Sequence, residues 1–258
     1  MTLGRENDSM TVLLIGVGAD STNTRPTPPV YPDGRFEYVP IPDEHASTEE
    51  RRYANMTLRH RDVALSAYLD RVKRNGEWHR DFGEFPLHHD PNFEALTFGD
   101  PGKTRSQLLR LDAGDVLAFY AGLVREGETT PIHRYLVGYF TIGSVADFDA
   151  LRGRDREAAL RAHRRNAHVK QHRASGDPDR LAGLVTARGR EDEPGRLLDR
   201  AVRISERRPN GHYYFAEEWA SFLDPRSSYL GGYKNPIFCD VSPVAFVERI
   251  DREVNRLR

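Results

Sequence analysis

Two histidines and an acid stand together in Leu87-His88-His89-Asp90-Pro91-Asn92-Phe93-Glu94. Imidazole and carboxylate are the side chains that trade protons near neutral pH, and both also bind metals. Asp90 precedes a proline, which biases it to an extended backbone and projects its carboxylate. Gly99-Asp100-Pro101 repeats the acid-before-proline pattern. The plainer reading of both segments is a turn whose Asp and Asn bond their own backbone.

A second group is Ala162-His163-x-x-Asn166-x-His168-x-Lys170-x-His172. On a helix, His168 and His172 share a face, as do His163, Asn166 and Lys170 approximately. Such a face suits a polar or anionic ligand held by Asn166, His168 and Lys170. An i,i+4 histidine pair also has metal-binding spacing. The competing reading is a solvated basic face, and Arg161, Arg164, Arg165 and Arg173 support it. A third candidate is Asp20, at the exit of Gly16-x-Gly-x-Asp20. That segment lacks the third glycine of a dinucleotide fingerprint, and a proline-rich loop follows where a helix should begin. A fourth is Tyr120 in Gly114-Asp-x-Leu-x-Phe-Tyr120, an aromatic able to stack on a base, although core packing explains it too. No Gly-x-Ser-x-Gly, P-loop or kinase set occurs. The one cysteine, Cys239, reads as a small buried residue.

The elements that must position these groups are legible in part. Thr11–Val17 is apolar on both faces and predicts a central buried strand. Phe36–Ile41 reads as a short edge strand, and Asp43–Tyr53 as a charged, exposed stretch. His60–Arg74 has helical spacing, with Asn75-Gly76 as its stop. Ala95–Phe98 reads as a strand and Lys103–Leu111 as a short helix. Val116–Gly122 and Tyr135–Ile142 predict an antiparallel hairpin. Arg154–Arg173 reads as one long basic helix, and Leu181–Ala187 and Leu197–Ile204 as strands. Ser242, Pro243 and the Val247, Ile250, Val254, Leu257 stripe predict a C-terminal helix. The fold class expected is α+β, with a mixed or antiparallel, partly barrel-like sheet flanked by helices. Residues 11–258 read as one compact domain behind a flexible segment 1–10.

Across 258 residues the net charge is −1, so no global positive field draws the chain onto nucleic acid, and any such contact must be a local patch. A single cysteine precludes an intramolecular disulfide or a cysteine-based zinc site. A reducing cytoplasm is the expected location. No apolar run has membrane-spanning length.

Several segments in order resemble the nucleotide modification associated domain family, third type. They are Ile15-Gly-Val-Gly-Ala-Asp20, Asp33-Gly-Arg-Phe-Glu-Tyr-Val-Pro-Ile-Pro42, Asp90-Pro-Asn-Phe-Glu-Ala-Leu-Thr-Phe-Gly-Asp-Pro101, Gly114-Asp-Val-Leu-Ala-Phe-Tyr-Ala-Gly-Leu123 and Val137-Gly-Tyr-Phe140. The resemblance covers Val12 to about Val247. It implies a place beside nucleic-acid base modification, with Asp20, Asp90, Asp100, Asn166 and His168 as the polar site positions. The expectation is therefore an enzyme acting on a nucleotide or base by acid/base chemistry. Asp20, His89, Asp90 and His168 would be catalytic, and Asp100, Arg105, Tyr120, Asn166 and Lys170 would bind substrate. Neither a metal nor a cofactor is assigned. The alternatives are a non-catalytic reader of a modified base with a PUA-like barrel, and a metal-dependent hydrolase using the His88-His89-Asp90 loop with His168 and His172.

Overall fold

The computed structural model describes residues 11–18, 22–193, 195–231 and 235–258. In chain order the elements are β1 (Val12–Gly16), β2 (Thr24–Arg25), β3 (Pro29–Val30), β4 (Ile41–Pro42), α1 (Leu65–Tyr68), β5 (Arg71–Arg74), β6 (Glu77–His79), β7 (Leu87–His88), β8 (Thr97–Asp100) and α2 (Arg105–Leu108). There follow β9 (Val116–Arg125), β10 (His133–Asp147), α3 (Gly153–Ala162), α4 (Ala167–Ser175), β11 (Val185–Gly189), β12 (Gly195–Arg203), β13 (Ser205–Arg207), β14 (Tyr213–Phe215), α5 (Glu217–Leu223), β15 (Ile237–Cys239) and α6 (Pro243–Arg256).

Eight strands form one mixed sheet along the path β15-β1-β9-β10-β11-β8, with β12 also paired to β10 and β3 to β9. β1 and β3 run parallel to β9, and the remaining pairs are antiparallel. The fold is thus α+β with helices about a mixed sheet. The described strands close no barrel. β1 and β9 are apolar along nearly their whole length because both faces are covered, which removes the usual in–out alternation. β10 is the long shared strand. It pairs β9 and β12 through its first part and β11 through its last, with register shifts at Leu136/Gly138 and Ile142/Ser144 that re-aim it between the two.

Two long helical readings resolve differently. Only Leu65–Tyr68 of the 60–74 stretch is helical, and Arg71–Arg74 pairs with Glu77–His79 instead. Asn75 and Gly76 both take positive φ, so they turn a hairpin rather than end a helix. The 154–173 stretch divides into α3 and α4 because Asn166 leaves the helical path. Its side chain accepts from the His168 backbone N and caps α4.

The core lies in three clusters. The largest follows the main sheet and includes Phe98, Phe119 and Phe140. A second, with Tyr53, Leu58, Leu65, Val72 and Leu87, lies under the segment between β3 and β8. A small third cluster joins Phe148, Val169, Leu181 and Leu184 beneath α4.

One close approach ties the main sheet to the His88–Glu94 loop. At Gly138, a Cβ would stand 2.3 Å from Phe93 Cε1 and 2.7 Å from the Arg196 carbonyl oxygen. The Phe93 ring in turn packs edge-on against Phe119 and Tyr38. Gly138→Ala should therefore cost about 1–3 kcal/mol through overpacking. The midpoint of urea unfolding, with an unchanged slope, measures it.

Candidate active site

Three clusters meet where β7, β8 and α4 converge. His88 follows Leu87 of the second cluster, Gly99 follows Phe98 of the first, and His168 precedes Val169 of the third. The Asp90 carboxylate lies between them, with only 2% of its side chain exposed. Both of its oxygens accept from the Gly99 backbone N, at 3.1 and 3.0 Å. Asn166 Nδ2 donates to Oδ2 at 3.4 Å, and His168 Nε2 lies 3.5 Å from the same oxygen. The Gly99 site is tight: an added Cβ would come within 3.2 Å of Thr186 and both polar atoms of the Asn166 amide. Asn166 thus does two jobs, capping α4 with its oxygen and holding Asp90 with its nitrogen.

A second acid–imidazole pair flanks the first. The His88 and His168 rings meet edge-on with centroids 4.8 Å apart. His88 Nδ1 is 3.7 Å from Asp43 Oδ1, which also accepts from Gln171 Nε2. Asp43 follows β4, and β4 pairs with β7 so that Ile41 lies opposite His88.

The two pairs are tuned in opposite directions. Burial pushes the Asp90 carboxyl up to about 8, against the opposing pull of His88, the Gly99 N–H and Asn166. Burial, reinforced by the charge of His88, pushes the His168 imidazole down to about 3. Both shifts favour the neutral forms of this pair. For His88, burial is outweighed by the Asp43 hydrogen bond and the nearby carboxylates, and its pKa is raised. For Asp43, burial is outweighed by His88, Gln171 and the His45 N–H, and its pKa is lowered. That pair is held as ions. Environments that push neighbouring titratable groups apart assign donor and acceptor roles.

Buried polar atoms without a protein partner collect here. Tyr38 OH, Asp43 Oδ2, His89 Nε2, Thr97 Oγ1 and Thr186 Oγ1 have none among the described residues. A buried polar atom left without a partner costs about 1–3 kcal/mol, so these positions favour contact with water or a ligand. His88, Asp90 and His168 also form the one His/Cys/Asp/Glu group among the described residues with metal-ligand proximity, their atoms lying within 4.8 Å of one another. Ligands about 2.1 Å from one ion stand roughly 3–3.5 Å apart, so holding a metal would require this group to contract.

The other residues singled out from sequence occupy different surroundings. Burial, and then the charge of Arg51, pushes the His89 imidazole down to about 3. Lys170 Nζ binds Glu49 at 2.6 Å, and Arg51 binds the same carboxylate through Nε and Nη2. Burial of Glu49 is outweighed by these contacts, leaving its pKa at about 2. Asp100 caps its own turn, accepting from Gly102 N at 2.6 Å and Thr104 N at 2.9 Å. Arg105 pairs with Asp147 and Asp149. Tyr120 is buried in β9 and lines a separate cavity of about 250 Å³ with Arg226 and Tyr229. His172 Nδ1 lies 2.8 Å from the Asp177 carbonyl oxygen, away from His168's partners. Asp20 lies outside the described residues. The residues that bring Asp90, Asn166 and His168 together thus include Asp43, Gln171 and Gly99, none of which the sequence reading selected. The position of Gln171, three after His168 on one helix face, was the available signal.

Beside this centre a cleft of about 520 Å³ takes His89 and Pro91, the neighbours of Asp90, into its wall, with Tyr38, Met56, Leu58 and Phe93. Arg51, Arg59 and Arg196 stand at its polar edges. The mixture of flat apolar walls and a few cations suits a ring system bearing an anionic group. The model of the nucleotide modification associated domain 3 matches residues 11–225. The chain belongs to the nucleotide modification associated domain 3 family. The match includes every residue of the centre and the whole cleft wall, so the centre is part of the family domain rather than an appendage to it. Membership gives the chain a nucleotide-modification-associated role. No curated protein and no solved structure matches it. No helix among the described residues is long and apolar enough to cross a membrane.

The sign of a pH effect follows from the two pairs. Unfolded, Asp90 titrates near 3.8 and each histidine near 6.5. Above those values the native state still holds protons on Asp90 and His88 that the unfolded chain has released. Stability therefore falls as pH rises, by up to about 1.4 kcal/mol per pH unit for each group. His168 acts oppositely, but only below about 6.5, where the unfolded chain is protonated and the native imidazole is not. Asp90→Asn should accordingly flatten the fall of Tm between pH 6.5 and 8 while leaving the part that His88 owes to Asp43. Thermal melts at several pH values check it.

Proposed function

We propose that this chain is an enzyme that modifies a nucleotide or a nucleic-acid base, with the Asp90–His168 pair exchanging a proton with the substrate. The reading is supported chiefly by one observation: a buried carboxyl and a largely buried imidazole stand 3.5 Å apart amid polar atoms that the described residues leave without partners. A desolvated carboxyl near 8 keeps its proton at pH 7 yet lies within about one pH unit of releasing it, which suits a group that must both release and recover a proton. The edge of His168, 15% exposed, is where a substrate atom would meet the pair. The His88–Asp43 ion pair sets the field in which that proton moves. The neighbouring cleft would hold the base between Tyr38, Phe93 and Pro91, with Arg51 or Arg59 toward a phosphate. A cytoplasmic location accords with this substrate class.

Asn166 is a positioning residue in this scheme. Asp100 and Arg105, occupied with their own turn and with Asp147, contribute to stability rather than to binding.

Asp90→Asn and His168→Gln should each lower modified-nucleoside yield by at least 100-fold in a host that makes the modification, read by mass spectrometry of digested nucleic acid and of the nucleotide pool. Arg105→Ala should leave the yield intact while lowering Tm. Unchanged yields in the first two variants, with native circular dichroism, would remove the enzymatic reading and leave a base-binding protein in its place.

A further inference from the structure

The small sheet β2-β5-β6 carries a feature that the centre does not use. Its ladder places Arg25 opposite Arg71, Thr24 opposite Val72, and Lys73 opposite Trp78. Strand alternation then puts Arg25, Arg71, Lys73 and Trp78 on one face and Thr24, Val72, Arg74, Glu77 and His79 on the other. The second face is the inner one. Thr24 and Val72 are fully buried, Arg74 donates to the Asp43 carbonyl oxygen at 2.7 Å, and His79 packs edge-on against Phe85. The only acid of these three strands, Glu77, lies on that inner face opposite Arg74. The outer face therefore presents three cations and an indole with no carboxylate contributed by its own strands.

The indole and its two guanidinium neighbours form a mixed aromatic–cationic surface. Trp78 is 40% exposed, and the Arg25 and Arg71 guanidinium carbons lie 5.1 and 5.2 Å from its ring centroid. Arg71 and Lys73 form no ion pair among the described residues. An anionic partner with flat rings suits this surface, since phosphates can meet Arg71 and Lys73 and a ring can stack on the exposed indole or a guanidinium. Bases in a duplex are already stacked on one another, whereas an unpaired strand brings phosphates and free ring faces together.

We propose that the outer face of β2-β5-β6 docks a single-stranded nucleic acid, an unpaired base stacking at Trp78 and phosphates meeting Arg71 and Lys73. The inference deepens the function proposed above, because it makes the substrate a strand rather than a free nucleotide. Through the Arg74–Asp43 contact, the hairpin that holds the strand is braced on the segment that also supports His88.

Fluorescence tests it on the full chain. Of the two tryptophans, Trp219 is 2% exposed, so quenching by added oligonucleotide reports Trp78. A mixed-sequence single strand should quench emission. Its affinity should fall about sevenfold between 50 and 200 mM salt if two phosphates are neutralised. Trp78→Ala, followed by fluorescence anisotropy of a labelled strand, should weaken binding by roughly tenfold or more. Lys73→Glu, which keeps both the indole and the turn, should weaken it comparably and flatten the salt dependence. Equal binding by wild type and Lys73→Glu, or equal affinity for a duplex or for polyglutamate, would overturn the proposal. The titration reads binding without turnover. Its failure thus leaves the proton-exchange reading standing, while loss of modification in Asp90→Asn bears only on that reading.

Discussion

Everything at the centre depends on keeping one carboxyl dry. Removing Asp90 from water disfavours its charge, and the groups that still face it come from two places in the chain. The Gly99 N–H arrives with β8, the Asn166 amide with the start of α4, and the His168 imidazole with the first turn of α4. Each is fixed by something larger. β8 is held by its ladder to β11, and α4 by its cap and by the Lys170–Glu49 pair. Asn92 binds the Arg165 carbonyl oxygen at 3.1 Å and so fastens the Asp90 turn to the beginning of α4. A few hydrogen bonds thereby convert a flexible run of polar residues into a defined electrostatic environment.

Asp43 and His88 show how local that environment is. The two carboxyls serve one small volume, and the imidazoles touch, yet one pair carries charge and the other does not. The difference lies in which donors face which acid. Asp43 has an amide and a proton-holding imidazole. Asp90 has a backbone N–H and a more distant amide, which compensate its burial less completely.

The sequence discloses these parts unevenly. Where burial alone decides, as in β1, β9, β10 and α6, apolar runs and stripes identify the elements closely. The 60–74 stretch misleads because its apolar residues satisfy a helical period by chance, while Asn75-Gly76 is a hairpin signal as strong as a helix stop. Asn166 looks like one more polar position on a basic helix, because a cap inside a long polar run has no apolar pattern to mark it. Asp90 and His168 stand out by residue type. Asp43 does not, for its partners His88 and Gln171 are distant in the chain, and its own surroundings read as solvated charge. Local pattern conveys what an element is, and long-range pairing, which pattern omits, conveys what an acid does.

The meeting of three hydrophobic clusters at one carboxyl has a bearing on how the molecule comes apart. Proteins open in units, and the units with the least buried apolar surface open first. His168 rides on the smallest of the three, built around Phe148, Val169, Leu181 and Leu184. Excursions of that unit would separate the imidazole from Asp90 while the main sheet stays intact, exposing the acid to water and returning it toward an ordinary carboxylate. The time that acid and imidazole spend together would then be set by the weakest bordering core rather than by the fold as a whole.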